Sequence, residues 1–226
     1  LMVDTISTKG MALGEVSEKI RGKVGTEVKL TIRRPGTEGT VIYTLTRAKI
    51  DVPKISYSGM LNENVGYVRL TGFSRGAANK FARTIKNLSD KNPQFNSLIL
   101  DLRSNPGGLL REALGIAEMF VPPGDTLLFT KGRTEESNRV VFAKRQPIIN
   151  PDVKLAVLIN GGSASASEIV AGVLQDYDRA LVVGQRSFGK GLVQRVHDLD
   201  KEHSIKITNA KYYIPSGRCV QKPEFI

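Results

Sequence analysis

The stretch Leu155-Ala156-Val157-Leu158-Ile159-Asn160-Gly161-Gly162-Ser163-Ala164-Ser165-Ala166-Ser167-Glu168 decides the fold. It begins as an uninterrupted apolar run, the pattern of a strand buried on both faces. The run breaks at two glycines, and from Ala166 to Gln175 the residues read as a helix. Strand, tight loop and helix in immediate succession is the unit from which α/β proteins with a parallel sheet are built. In such proteins ligands sit at the ends of the strands, where these loops lie. This loop can present a serine hydroxyl on a sharp turn, beside backbone N–H groups and a helix N-terminus. The same serines also suit helix capping, with Glu168 in the first turn. Taken alone, the loop does not choose between the two.

Working outward, the alternation continues. Val65 to Leu70 and Ser97 to Leu102 read as strands. Ala78, Phe81, Ala82, Ile85 and Leu88 mark an amphipathic helix. Leu109, Leu110, Ala113, Ala117 and Phe120 mark another, stopped by Pro122-Pro123. Leu127 to Thr130 and Arg139 to Ala143 look like a hairpin around a polar turn. Leu181 to Gly184 is a further strand, and Val193 to Leu199 and Ser204 to Tyr213 alternate like an antiparallel pair. Residues 1–50 form a different unit. They hold a strand at Leu1 to Ile6, a helix with Leu13, Val16 and Ile20 on one face and a stop at Gly22. A hairpin follows, from Val28-Leu30-Ile32 through Pro35-Gly36 to Val41–Leu45. About 50 residues is too little for an independent core. Residues 51–64, with Pro53 and Gly59, read as a connector, and 65–226 as the main domain. The fold class is α/β with layered strands and helices.

Composition narrows the functional classes. The chain has 226 residues, 40% apolar and 24% charged, which is ordinary for a globular protein. No apolar run approaches the roughly 18–20 residues that span a bilayer, and Leu1-Met2-Val3-Asp4 does not open like a secretory signal. The single cysteine, Cys219, cannot form an internal disulfide, and no Cys/His spacing suggests zinc. His197 and His203 read as strand or turn residues. No metal and no other cofactor is expected. The net charge of +11 comes from scattered residues. Its densest run, Lys80 to Lys91, looks like the wet face of a helix, so no nucleic-acid partner is expected.

Two more glycine-containing loops follow buried strands. In Asp101-Leu102-Arg103-Ser104-Asn105-Pro106-Gly107-Gly108, the glycine pair leaves backbone N–H groups free to approach a substrate and stabilise an oxyanion. A plain strand-to-helix turn is the other reading. Gly184-Gln185-Arg186-Ser187-Phe188-Gly189-Lys190-Gly191 nearly spells a phosphate-binding loop. That motif requires Ser or Thr after the lysine and then a helix. Here Gly191 follows, and Leu192-Val193 leads into a strand. A catalytic lysine explains the loop better. A serine nucleophile needs a base, no histidine lies in a recognisable triad, and a lysine amine serves when it is neutral, a form that burial favours. Phe188 and the Leu181-Val182-Val183 strand are expected to supply an apolar wall. Gln194 is expected to orient the amine.

Together these residues are specific. Gly162 to Ile169, then Phe188-Gly189-Lys190-Gly191 with Gln194, the Asp101–Gly108 box and the closing Tyr212-Tyr213-Ile214-Pro215-Ser216-Gly217-Arg218 resemble the carboxy-terminal processing (tail-specific) peptidases. The resemblance covers nearly the whole chain. It implies a crotonase-like layered peptidase core and, for residues 1–50, the later half of a PDZ domain. It implies Ser165 as nucleophile, Lys190 as general base and Gln194 as its support. The oxyanion hole would come from the N–H of Ala166 and one from Gly107 or Gly108. Glu168 either braces the site or starts the helix; Ser163 and Ser167 are supporting or capping residues. The implied activity is a serine endopeptidase acting near the C-termini of proteins with apolar tails, in the cell envelope or periplasm. A homo-oligomer is left open. The start of the PDZ domain and its carboxylate-binding loop are missing, and the chain stops soon after the tyrosine box, so a piece of a longer protein is expected. The alternative is a catalytically silent peptide-binding or scaffold homologue on the same fold.

Overall fold

The computed structural model describes residues 1–49, 53–200 and 202–223, and the chain forms two compact units, Leu1–Val52 and Pro53–Ile226.

In the first unit β1 (Met2–Val3), β2 (Ile6–Ser7), α1 (Leu13–Ile20), β3 (Glu27–Ile32) and β4 (Val41–Thr46) follow in order. The sheet runs β2-β1-β3-β4 and is antiparallel throughout. The strand expected at Leu1 to Ile6 is split in two. Asp4 takes a positive φ of 53°, a conformation its side chain favours, and its Oδ1 accepts the Lys29 N–H at 2.8 Å. Buried Val3 and Val28 anchor the sheet. Helix α1 stops as expected before Gly22. Arg47 Nε donates to the Ile20 carbonyl at 2.8 Å, placing a cation on the negative end of the helix. A Cβ on Gly22 would lie 2.7 Å from that Arg47 nitrogen.

The second unit contains β5 (Ile55–Met60), β6 (Val65–Leu70), α2 (Ala77–Lys91), β7 (Ser97–Asp101), α3 (Leu110–Ala117), β8 (Thr126–Gly132), β9 (Arg139–Phe142), β10 (Lys154–Ile159), α4 (Ala166–Asp176), β11 (Leu181–Gly184), β12 (Leu192–Asp198) and β13 (Ser204–Tyr213). A five-stranded sheet runs β11-β10-β7-β6-β5, and a four-stranded one runs β12-β13-β8-β9. The connector read over 51–64 contains β5, which pairs antiparallel with β6; residues 51 and 52 lie outside the described residues. Phe73, Phe81, Leu98, Leu100, Leu102, Val157, Val170 and Leu174 form the main core. Helix α2 has no side-chain cap of its own. The buried Glu112 of α3 supplies one, its carboxylate accepting the Gly76 and Ala78 N–H groups at 3.0 Å each. Burial opposes the ionisation of Glu112, but those two bonds and Arg111 outweigh it and hold the carboxyl below its usual range. No helix among the described residues is long and apolar enough to cross a membrane.

The arrangement of β7, β10 and β11 positions everything that follows. They are parallel neighbours, so the three loops that leave their C-terminal ends emerge side by side on one edge of the sheet.

Candidate active site

The loop after β10 carries Ser165, at the position that caps α4. Its φ is 55° and its ψ −109°, a strained conformation for a serine. Sharp strand-to-helix turns that expose a nucleophile have this character. The loop is fixed from beneath. Ser163 Oγ donates to the Leu102 carbonyl at 2.8 Å, Ser167 Oγ donates to the Asn105 carbonyl at 2.9 Å, and both serines are fully buried. They are therefore ties to the loop after β7. The Ala164 N–H also donates to the Asn105 carbonyl, at 3.0 Å.

The loop after β7 is built around two buried polar residues. Asn105 donates from Nδ2 to the Leu70 carbonyl at 2.9 Å and accepts the Gly107 N–H at 2.9 Å. Asp101 accepts the Tyr67 hydroxyl, the Arg103 N–H at 2.8 Å and Arg103 Nη2 at 2.7 Å. Burial opposes ionisation of Asp101, yet the bonds from Arg103 and Tyr67 prevail and its carboxyl lies below the ordinary aspartate range. Gly107 has a φ of 99°, and a Cβ there would lie 2.7 Å from the Ala164 carbonyl oxygen and 3.0 Å from both Ala166 N and Ser165 Cβ. Only glycine permits this approach to the serine.

The two candidate glycines differ. The Gly107 N–H is used by Asn105. The N–H groups of Gly108 and Ala166 find no hydrogen-bond partner among the described residues. The Ala166 N–H adjoins Ser165 in the chain, and the Gly108 N–H follows Gly107, whose backbone packs against Ser165; an oxyanion hole is built from donors of this kind.

The loop after β11 packs onto the serine loop. The Phe188 N–H donates to the Ser163 carbonyl at 3.0 Å. The Ser165 and Lys190 N–H groups both donate to Glu168 Oε2, at 2.7 and 2.9 Å, so their nitrogens lie within two hydrogen-bond lengths of each other. After Lys190 comes β12, a strand. A Cβ on Gly191 would lie 2.3 Å from Gln221 N, which excludes the serine or threonine of a phosphate-binding loop.

The reactive side chains are less organised than this frame. Lys190 is exposed, and no hydrogen bond joins its amine to Ser165 Oγ among the described residues. The expected apolar wall is not built: Phe188 is 59% exposed and Leu181 70%. Gln194 is exposed too and donates from Nε2 to Thr208 Oγ1 at 3.2 Å, across the bulge in the β12–β13 pair. Among the described residues no group of three or more His, Cys, Asp or Glu is placed to hold a metal ion. Sequence reasoning assigned no role of their own to Asp101, Asn105 and Ser187, although Asp101 and Asn105 lie in the Asp101–Gly108 box and Ser187 in the loop before Lys190. Each acts through a contact with a distant segment.

Comparison with known proteins gives a consistent result. Residues 64–225 match the pattern of Peptidase family S41. The chain is 37% identical over 221 residues to a carboxy-terminal-processing protease of Bartonella bacilliformis, covering 97% of this chain and 50% of that protein. It is 32% identical to a chloroplastic C-terminal processing peptidase of Tetradesmus obliquus, covering 97% of this chain and 49% of that protein. Among solved structures, a photosystem II D1 C-terminal processing protease superposes with a TM-score of 0.69 at 31% identity, over 97% of this chain and 59% of that one. The chain therefore spans about half the length of these relatives.

Proposed function

Because this chain belongs to Peptidase family S41, we propose that it is the catalytic part of a serine endopeptidase that cleaves proteins near their C-termini, with Ser165 as nucleophile and Lys190 as general base. The observation that carries the proposal is the strained Ser165, packed against Gly107 and held on the same carboxylate oxygen as the Lys190 main chain.

The chemistry follows from these positions. Ser165 Oγ attacks the scissile carbonyl carbon while its proton passes to the Lys190 amine. The negative oxygen that forms lies against the Ala166 and Gly108 N–H groups, with Gly107 leaving room for it. The intermediate collapses, the peptide nitrogen leaves with the proton from Lys190, and an acyl-enzyme remains. Water, deprotonated by Lys190, then releases the acid and restores Ser165. The exposed Lys190 side chain must swing from solvent to Ser165 before the first step, a rotamer change that exposed residues make in picoseconds to nanoseconds. Gln194 would exchange Thr208 for the amine in the same movement.

The same proposal assigns residues 1–50 to the later half of a PDZ domain, with α1 as one wall of a groove for an apolar tail, and residues 65–226 to a crotonase-like core, with 51–64 between them. The place of action is the cell envelope or an equivalent compartment, and the substrates are proteins with apolar C-terminal tails. One observation favours the alternative, a silent peptide-binding homologue: Lys190 and Gln194 are exposed, and no hydrogen bond joins either side chain to Ser165 among the described residues. Ser165→Ala and Lys190→Ala, made in the full-length protein and offered a substrate with an apolar tail, decide between them. Both variants are expected to stay folded and to lose cleavage. Turnover at the wild-type rate in either removes that residue from the mechanism, and a wild-type protein with no turnover favours the silent homologue.

A further inference from the structure

We propose that Glu168 is a positioning residue that clamps the lysine loop against the serine loop; this rests on the reading of Ser165 and Lys190 as the reacting pair. Its carboxylate is buried and collects four donors from the two loops. Oε2 accepts the N–H groups of Ser165 at 2.7 Å and Lys190 at 2.9 Å. Oε1 accepts the Gly189 N–H at 2.6 Å and the Ser187 hydroxyl at 2.7 Å.

Glu168 is the third residue of α4. A glutamate or glutamine at that position commonly reaches back to the N–H of the capping residue. That habit accounts for the Ser165 bond alone. The other three bonds come from the loop after β11, and they fix the Ser187 side chain and the consecutive N–H groups of Gly189 and Lys190. This matters because Lys190 is exposed. A swinging side chain reaches Ser165 only if its own backbone is fixed relative to the serine. Reacting groups lose about 100-fold in rate for a displacement on the order of 1 Å.

The four partners all donate, so the site demands a group that only accepts. An ionised carboxylate meets that demand with both oxygens, whereas a glutamine has one accepting oxygen and turns its NH2 toward two donors. Glu168→Gln therefore separates a clamp from a cap. A cap tolerates glutamine; a clamp does not.

The test measures kcat, KM and thermal unfolding for Glu168→Gln, Ser187→Ala and Ser187→Thr in the full-length protein, on one peptide with an apolar C-terminal tail. Glu168→Gln is expected to lower kcat about 100-fold with KM little changed. Ser187→Ala is expected to lower kcat several-fold, and Ser187→Thr, which returns the hydroxyl, to recover it. Wild-type kcat in Glu168→Gln, or a loss seen only in KM, overturns the clamp. If Glu168→Gln does not fold, the Ser187 pair decides: wild-type kcat in Ser187→Ala overturns the clamp, and loss with recovery by threonine supports it. Ser165→Ala and Lys190→Ala run alongside. Turnover in either removes the premise and the clamp with it; dead variants beside a fully active Glu168→Gln overturn the clamp alone.

Discussion

Gly107→Ala is the sharpest probe of the proposed oxyanion hole. The added methyl group would meet the Ala164 carbonyl oxygen at 2.7 Å and both Ala166 N and Ser165 Cβ at 3.0 Å. Two of these atoms are main chain, so no rotamer change relieves the contact. The φ of 99° also lies where an alanine is strained, at roughly 1–2 kcal/mol. Relief requires the serine loop and the glycine loop to part, which separates the Ala166 and Gly108 N–H groups from the carbonyl they must both reach. Losing one such donor costs about 2.7–4 kcal/mol, or about 100- to 1,000-fold in kcat. The assay is kcat at saturating peptide together with the unfolding midpoint. Gly124→Ala is the control: its φ is 94°, but nothing lies within 4 Å of the added carbon. It carries the backbone strain of about 1–2 kcal/mol without the clash, and its kcat should match the wild type. Wild-type kcat in Gly107→Ala would refute the reasoning, because the approach of Gly107 to Ser165 would then have no part in binding the oxyanion.

Other perturbations test the frame. Asp101 is more acidic in the folded chain than in the unfolded one, so the unfolded chain takes up the proton first. The stability it contributes is complete above about pH 4 and drains as pH falls through the lower folded value. Asp101→Asn should therefore flatten the acid limb of a plot of unfolding midpoint against pH; an unchanged limb would remove Asp101 as its source. Glu112→Ala uncovers the N-terminus of α2 and should lower stability by about 1–2 kcal/mol, measured by urea unfolding. Arg47→Ala frees the last carbonyls of α1 and should speed proteolysis within residues 1–49, with the rest of the chain cut at its wild-type rate. Gly191→Ser, which completes the phosphate-loop spelling, should destabilise the protein through its contact with Gln221, and added ATP should leave the unfolding midpoint of the wild type and the variant unmoved.

Periodicity located the elements that carry the site. The apolar runs at Ser97–Leu102, Leu155–Asn160 and Leu181–Gly184 correspond to β7, β10 and β11, and the Ala166 helix is α4. Parallel pairing of those strands then brings the three loops together, which is why separate motifs on a linear chain read as one site. Strand β5 escaped the same reading. Ile55-Ser56-Tyr57-Ser58-Gly59-Met60 mixes polar and apolar residues between Pro53 and the asparagines, and its place at the sheet edge, next to β6 alone, leaves three of its six residues exposed. A short edge strand has little apolar patterning to show. Side-chain destinations were less legible still. The bond from Lys29 to Asp4 and the bond from Asn105 to Leu70 depend on partners far away in sequence, whereas the choice between Gly107 and Gly108 rests on a local turn, the Gly107 N–H donating to Asn105 two residues before it.

The site divides between what is buried and what is free, and the division has a physical reason. Asn105, Ser163 and Ser167 are fully buried and Glu168 nearly so, and each makes its hydrogen bonds to main chain or to a neighbouring loop. Such bonds are expensive to leave unmade, since a buried group without a partner costs about 1–3 kcal/mol. This layer therefore holds one arrangement. Lys190 and Gln194, by contrast, are exposed, and water can solvate either in several conformations at little energetic difference. Substitutions in the two layers should consequently part company. Asn105→Ala should lower stability and kcat together, because it removes the acceptor for the Gly107 N–H and the donor to Leu70. Lys190→Ala should abolish turnover while the free energy of unfolding stays within about 0.5 kcal/mol of the wild type, the usual range for a surface position. A large loss of stability in Lys190→Ala would mean that its side chain, and not only its main chain, already belongs to the fixed layer.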